Sequence, residues 1–346
     1  MTPLAAVLDP TDRPPLYVIA EVGVNHDGSV ADAHRLVDVA ADAGADAAKF
    51  QTFDPAALVA ADAAAAAYQT ANTGVRTQRE LLEQYVLPRA AWAELRDHAK
   101  DRGIDFLSTA FDLASLDLVC ELDVPGLKLG SGELTNRPLL LEVARRGLPV
   151  LCSTGMGDED EVARALEWLA GAPGVLLLHC VSSYPAPVDQ ANLRAIPAMR
   201  ERFGRPVGWS DHTLGPVTAV AAVALGAAAL EKHITLDTSR SGPDHQASAD
   251  PAAFAEYVAL ARSAHAALGD GRKRPVPAEA VNAPLVRRSW HALRDRPAGT
   301  VLTAEDVGTL RPAAGLPPAV DVVGRSLARA VRAGQPLSAD DLEPSP

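Results

Sequence analysis

Tyr17-Val18-Ile19-Ala20-Glu21-Val22, followed by Gly23-Val24-Asn25-His26-Asp27-Gly28, decides between two folds. The first run reads as a short buried strand. An open, doubly wound dinucleotide-binding sheet would continue it with a Gly-x-Gly-x-x-Gly turn; no such turn follows Val22. Working outward, comparable apolar runs occur at Ala47–Gln51, Asp105–Ser108, Gly126–Leu129, Val150–Ser153, Val175–Cys180, Val207–Ser210 and Ala229–His233. Helical patterns separate them, at Val30–Ala43, Ala90–Arg102, Arg137–Arg146, Glu159–Ala170, Asn192–Phe203 and Pro216–Leu225, with a last one at Pro251–Ala267. Asp158 and Asp250 stand where N-caps belong, and Gly44, Gly103 and Gly147 where helices end. Eight β–α units in about 260 residues predict an α/β fold, a closed (β/α)₈ TIM barrel.

The whole chain has 346 residues, 48% of them hydrophobic, which is enough for a large barrel core plus a small module. Its net charge of −12 gives no basic footprint for nucleic acid or an anionic membrane. Three dispersed cysteines, Cys120, Cys152 and Cys180, form no disulfide framework and suit a reducing cytoplasm. Neither a leader-like basic-then-apolar start nor a bilayer-length apolar run is visible. Only 5 of the 32 basic residues are lysines, yet Lys49, Lys128 and Lys232 fall in strands. A site that needs a compact ammonium would select lysine there.

Two stretches interrupt the β–α alternation. Asp54–Gln84 is long for a strand-to-helix connection and predicts either a lid over the mouth or a floppy Ala-rich insertion. Near the C-terminus, Ala298–Val307 and Ala333–Leu342 echo one another, each with a hydroxyl residue ahead of an acidic turn. The expected organisation is a catalytic barrel over 1–268, a Gly/Arg/Pro-rich linker over 269–283 and a pseudo-symmetric module over 284–346.

Strand alternation sorts the polar residues by face. Glu21, Lys49, Gln51, Ser210, His212, Glu231 and His233 fall on the inward face at C-terminal strand ends, where barrel sites are built. His212 and His233, on adjacent strands, can meet one cation; a mixed N/O shell favours Mn²⁺, Co²⁺ or Fe²⁺ over Mg²⁺, with zinc an alternative. Two unrelated polar histidines are the competing reading. Lys49 and Lys128, with Thr109, Ser131, Ser153, Ser182 and Ser210, form a dispersed anion set; a structural Lys–Glu pair is the competing reading. Lys232 has the parity of a helix-facing residue. Glu21, Glu133 and Asp244 are candidate acids or bases. His179 reads as inward-pointing or as hydrogen-bonded packing, His34, His98 and His265 as solvated helix residues, and His245 and His291 as loop or surface residues.

These segments together resemble the sialic acid synthase family, which includes the N-acetylneuraminate, legionaminate and pseudaminate synthases. The resemblance rests on Ile19–Gly28, Lys49-Phe50-Gln51, Tyr68-Gln69 with Asn72-Thr73-Gly74, Ser108-Thr109 and Lys128–Glu133. It continues through Ser153–Met156, His179-Cys180 with Tyr184-Pro185, Trp209–Thr213, Glu231-Lys232-His233 and Gly242–His245. Arg311-Pro312 and Gly324-Arg325 resemble the family's antifreeze-like (SAF, β-clip) C-terminal domain. The likeness runs from Tyr17 to Leu342.

The resemblance implies a transferase that condenses phosphoenolpyruvate with an N-acetylhexosamine-type aldehyde, such as N-acetylmannosamine, and releases phosphate. It implies a divalent ion on His212 and His233, commonly Mn²⁺ with Mg²⁺ or Co²⁺ as alternatives, acting as a Lewis acid on the aldehyde. Phosphoenolpyruvate falls to Lys49, Thr109, Lys128, Ser131, Ser153, Ser182 and Ser210. Glu133, Glu21 and His233 match catalytic positions; Gln51, Asn72, Tyr184 and Asp244 match acceptor contacts, as does Glu21. Family members are domain-swapped homodimers in which the residue matching Arg311 covers the partner's mouth. Ala110 replaces a common proline, Ser182 an asparagine, and Thr238 a common arginine, with Arg240 two residues on; these departures concern the acceptor side. Two other readings compete: a Schiff-base pyruvate aldolase on the same barrel, and a non-catalytic sugar-acid-binding homologue.

Overall fold

Eight parallel strands close into a barrel in chain order: β1 Tyr17–Gly23, β2 Ala47–Thr52, β3 Asp105–Ala110, β4 Leu127–Leu129, β5 Val150–Ser153, β6 Val175–Cys180, β7 Val207–Asp211 and β8 Ala229–His233. The structure, a computed structural model, describes residues 3–8, 15–65, 70 and 73–344. The chain divides into two units, Met1–Asp270 and Gly271–Pro346. β8 returns to β1 with Glu21 opposite His233, so the first and last functional segments are neighbours.

Alternation builds the barrel. Tyr17, Ile19, Ala47, Leu107, Leu151 and Leu176 point inward and fill the lower interior. Residues of the other parity, such as Val18, Ala48, Phe50 and Phe106, pack against the helices. A helix that the sequence reading did not include, Pro3–Leu8, buries Leu4 and Val7 in that interior cluster and closes its floor. Another, Leu113–Glu121, links β3 to β4 and is capped by Asp112. Asp158 forms a capping box with Glu161, and Asp250 accepts from the Ala253 N–H, as expected. Gly44 ends its helix at φ 80°, where a Cβ would be strained.

The β2-to-β3 excursion is folded over the parts described. Ala64 bridges Thr77, the Gln78 side chain donates to the Ala64 carbonyl, and helices Pro55–Leu58 and Gln78–Glu83 flank the bridge. Leu81 and Tyr85 join Val24 and Phe53 in a separate apolar cluster, which anchors the excursion to the β1 and β2 loops. Tyr68, Gln69 and Asn72 lie outside the described residues.

In the second unit, β9 Ser289–Ala292 pairs antiparallel with β10 Val307–Leu310 over a core that includes Leu302, Val322, Leu327 and Leu337. The internal echo is structural. Asp306 Oδ2 accepts from the Thr303 N–H and hydroxyl, and Asp341 Oδ2 accepts from those of Ser338. An arginine braces each aspartate, Arg296 on Asp306 and Arg329 on Asp341. Two expectations need correction. The stretch read as linker contains the short helix Pro277–Ala280 and the start of Ala283–Val286. His291 is buried, because strand pairing rather than a loop carries it. No helix among the described residues is long and apolar enough to cross a membrane.

Candidate active site

The upper interior of the barrel is charged where the lower interior is apolar. Lys49 Nζ lies 2.5 Å from Glu21 Oε2, 3.1 Å from Thr109 Oγ1 and 3.6 Å from Glu231 Oε2. Lys128 Nζ donates to Ser153 Oγ at 2.7 Å and lies 3.6 Å from Glu231 Oε1. Ser210 Oγ donates to the same Glu231 oxygen at 2.8 Å, and Gln51 Nε2 donates to Glu21 Oε1 at 3.0 Å. All four charged side chains are buried. Both lysines are therefore paired with carboxylates, as the structural reading expected, in the upper interior of the barrel.

The charges are unevenly balanced. Burial pushes the Glu21 carboxyl up to about 7, with Lys49 opposing and Glu231 adding to the rise. Burial acts the same way on Glu231, but Lys128 and Lys49 outweigh it and hold that carboxyl at about 2. Burial depresses Lys128, which has one close carboxylate; Lys49 has two, and its pKa is raised despite burial.

Above Lys128 lies a small polar notch. Ser131 Oγ accepts from the Gly155 N–H at 3.0 Å and sits 3.2 Å from Cys180 Sγ. A Cβ added at Gly155 would lie 2.4 Å from Ser182 Oγ, 2.8 Å from Ser131 Oγ and 2.9 Å from Cys180 Sγ. Loops following β4, β5 and β6 thus pack so closely at Gly155 that only glycine fits there. With the Gly155 N–H committed to Ser131 Oγ, the two hydroxyls and a neighbouring ammonium are the suitable partners for phosphate oxygens.

Across the mouth stand the histidines. The rings of His212 and His233 are 5.6 Å apart, and the Tyr184 ring lies 4.2 Å from the first and 5.7 Å from the second. His212 Nδ1 donates to the Val181 carbonyl at 2.7 Å, which makes Nε2 the lone-pair nitrogen; Ser210 Oγ lies 3.4 Å from it. His233 Nδ1 is buried without a hydrogen-bond partner and lies 3.9 Å from Asp244 Oδ2. Burial holds both imidazoles below the usual histidine range, and so neutral, as a metal ligand must be. Burial pushes Asp244 up to about 6. Among the described residues no group of three or more His, Cys, Asp or Glu side chains forms a complete cation site. An ion held here would take two protein nitrogens and fill its shell with water or substrate oxygens, the open arrangement that Lewis-acid chemistry needs.

Other expected residues are more scattered. Glu133 is buried in the turn Ser131–Glu133, and its Oε2 accepts from Asn136 Nδ2 at 2.6 Å. Arg311 follows β10 in the second unit and is exposed. Asn72 lies outside the described residues. Lys232 faces the helices, donating to the Thr213 carbonyl and lying 5.7 Å from the Tyr257 ring. His179 packs on Trp209 and contacts the Ala191 carbonyl, so it serves packing. His245 is not a surface residue: it is fully buried, with both ring nitrogens engaged. The sequence reading gave Glu231 no role although its parity put it beside His233; it links the lysine side to Ser210. Cys180 and Gly155 were also missed as parts of the notch.

Fold and site together define a (β/α)₈ barrel whose C-terminal mouth carries a buried lysine pair beside an imidazole pair. The chain belongs to the NeuB family, matching it over residues 36–273, and residues 287–343 match the SAF domain. It is 40% identical over 336 residues to the N,N'-diacetyllegionaminic acid synthase of Legionella pneumophila, covering 94% of each chain. It is 40% identical over 304 residues to the synthase of the same name from Campylobacter jejuni, covering 86% of this chain and 91% of that one. Among solved structures, the N-acetylneuraminic acid (sialic acid) synthetase of Leptospira borgpetersenii, in complex with citrate, superposes with a TM-score of 0.68 at 32% identity. That match covers 78% of this chain and 90% of that one.

Proposed function

We propose that this chain is a nonulosonate synthase. It joins phosphoenolpyruvate to an N-acetylated amino-sugar aldehyde, adds water and releases phosphate. The observation that carries this reading is the pairing, in one barrel mouth, of the Lys49–Lys128 side with the His212–His233 side through Glu231, which accepts from Ser210 Oγ at 2.8 Å, that hydroxyl lying 3.4 Å from His212 Nε2. Lys49 and Lys128, with Thr109, Ser153, Ser210 and the Ser131–Ser182 notch, hold the enol ester. Tyr184, Asp244, Gln51 and Glu21 face the acceptor. A divalent cation on His212 and His233, Mn²⁺ on this reading, supplies Lewis-acid polarisation of the aldehyde oxygen.

Held between the two sides, C3 of phosphoenolpyruvate forms a bond to the aldehyde carbon, leaving positive charge at C2. Glu133 stabilises that charge or takes the proton of the water that adds there. Cleavage of the C2–O bond to phosphorus-bearing oxygen then frees phosphate and leaves the 2-keto acid. The names of the Legionella and Campylobacter relatives favour a diacetamido sugar as acceptor. A second copy of the chain completes the mouth with its Arg311. The free thiols Cys120, Cys152 and Cys180 suit work in the cytoplasm.

A Schiff-base aldolase could use Lys49 or Lys128; two carboxylates keep Lys49 an ammonium, whereas burial depresses Lys128, and against an aldolase on Lys128 stands the His212–His233 pair, for which that chemistry has no use. The test is phosphate release from phosphoenolpyruvate with 2,4-diacetamido-2,4,6-trideoxymannose or N-acetylmannosamine and Mn²⁺. Release that depends on the sugar supports the reading; no release with either sugar refutes it.

A further inference from the structure

The loop after β8 is tied to the loop after β1 by more bonds than a connection needs. His245 Nδ1 lies 2.7 Å from Thr235 Oγ1 and its Nε2 lies 2.9 Å from Asp27 Oδ1, with the ring fully buried. Arg240 Nη1 donates to Asp27 at 3.3 Å and to Asp32 at 2.9 Å. Asn25 Nδ2 donates to the Ile234 carbonyl and to Ser248 Oγ, and Ser248 in turn donates to the Asp244 carbonyl. Gly242 has no room for a side chain, since a Cβ would come within 2.5 Å of His245 Cδ2. These bonds converge on the residue before His245. Asp244 is the carboxylate that faces His233, 3.9 Å from its Nδ1.

We propose that His245, locked between Asp27 and Thr235, is a positioning residue that sets the Asp244 carboxylate at the acceptor side of the mouth. This rests on the synthase reading above. His245 touches no substrate itself. Buried imidazole bonded at both nitrogens has one orientation, so the backbone at 244–245 has one position, and Asp244 is held where a sugar hydroxyl must meet it. Arg240 extends the same clasp. Its guanidinium is committed to Asp27 and Asp32 and therefore braces the loop.

Steady-state phosphate release on 2,4-diacetamido-2,4,6-trideoxymannose and N-acetylmannosamine tests the clasp in the full-length chain. His245→Ala is expected to raise the acceptor KM by about tenfold or more, because small displacements at a reacting centre cost that much. The phosphoenolpyruvate KM should stay within about twofold of wild type. His245→Gln keeps a donor near the Nε2 position and should recover most of the loss. A folded His245→Ala with an unchanged acceptor KM, or with both KM values rising in parallel, overturns the proposal. Should His245→Ala fail to fold, Arg240→Met decides: its side chain is 30% exposed and the core is untouched. A rise of about threefold in acceptor KM alone is expected there, and a wild-type value overturns the proposal. If the wild-type chain turns over neither sugar, the synthase reading fails and the clasp falls with it; if wild type is active, only the clasp is at stake.

Discussion

Gly155→Ala adds one methyl group to the notch proposed to hold phosphate. The backbone accepts the change, since Gly155 is not among the positive-φ residues. The side chain does not fit: its Cβ would lie 2.4 Å from Ser182 Oγ, 2.8 Å from Ser131 Oγ and 2.9 Å from Cys180 Sγ. Ordinary contacts are about 3.5–4 Å, so at least one hydroxyl must rotate away or the β5 loop must shift. A hydrogen bond to a charged group contributes about 1.5–3 kcal/mol, and about 1.4 kcal/mol is a factor of ten. Losing one hydroxyl–phosphate bond should therefore raise the phosphoenolpyruvate KM by about 10- to 100-fold. Overpacking costs about 1–3 kcal/mol of stability, a few degrees in Tm for a chain of this size, so the variant should remain folded at assay temperature. Gly132→Ala, where an added Cβ meets nothing within 4 Å, is the control and should behave as wild type. The assay is phosphate release against phosphoenolpyruvate concentration at saturating sugar, with a thermal melt beside it. A folded Gly155→Ala with a wild-type phosphoenolpyruvate KM refutes the reasoning.

His233→Ala should lower Mn²⁺ affinity by at least about tenfold, read by titration calorimetry, while the melt shifts little; metal binding that survives intact argues against the imidazole pair. For pH, Glu21 sits near 7 in the folded chain against an ordinary 4.5. A carboxyl raised in this way binds its proton more tightly when folded, so its contribution to stability falls as pH rises from about 4.5 through about 7. As pH rises through about 7 the carboxyl also gains its negative charge beside Lys49, so phosphoenolpyruvate affinity should fall across that ionisation. Glu21→Gln should flatten this part of the profile, and an unchanged profile contradicts the assignment. Lys49→Met strands Glu21 and Glu231 in the interior, and breaking such a pair costs about 3–5 kcal/mol; chemical denaturation at pH 8 should show it. Borohydride with pyruvate should trap no adduct on either interior lysine, and mass spectrometry that finds one would revive the aldolase reading.

Much of the frame could be read before any coordinates. The barrel strands are short apolar runs bounded by helical patterns, and their inward and outward faces follow from a period of two. That parity put Lys49, His212 and His233 inside and Lys232 toward the helices, where it meets Tyr257. What escaped was whatever periodicity does not encode. The Pro3–Leu8 floor helix is too short to show an amphipathic repeat, and Leu4 and Val7 have meaning only once a barrel bottom exists to be closed. The convergence of Ser131, Gly155, Cys180 and Ser182 depends on three loops whose approach is set by strand stagger. His245 lies in an irregular turn, and loop residues are ordinarily exposed; its burial comes from Asp27 and Thr235, one 218 residues away in sequence. Glu231 was visible on the right face, but its place between two ammonium groups required the barrel to be closed.

The most direct test of the two-sided mouth is a crystal structure of the protein soaked with phosphoenolpyruvate and Mn²⁺. The account predicts the phosphate within hydrogen-bonding distance of Lys128 and the Ser131–Ser182 notch, with the cation between His212 and His233 in the same cavity. Phosphate bound elsewhere, or a cation bound by other side chains while the two imidazoles remain without it, would contradict the account.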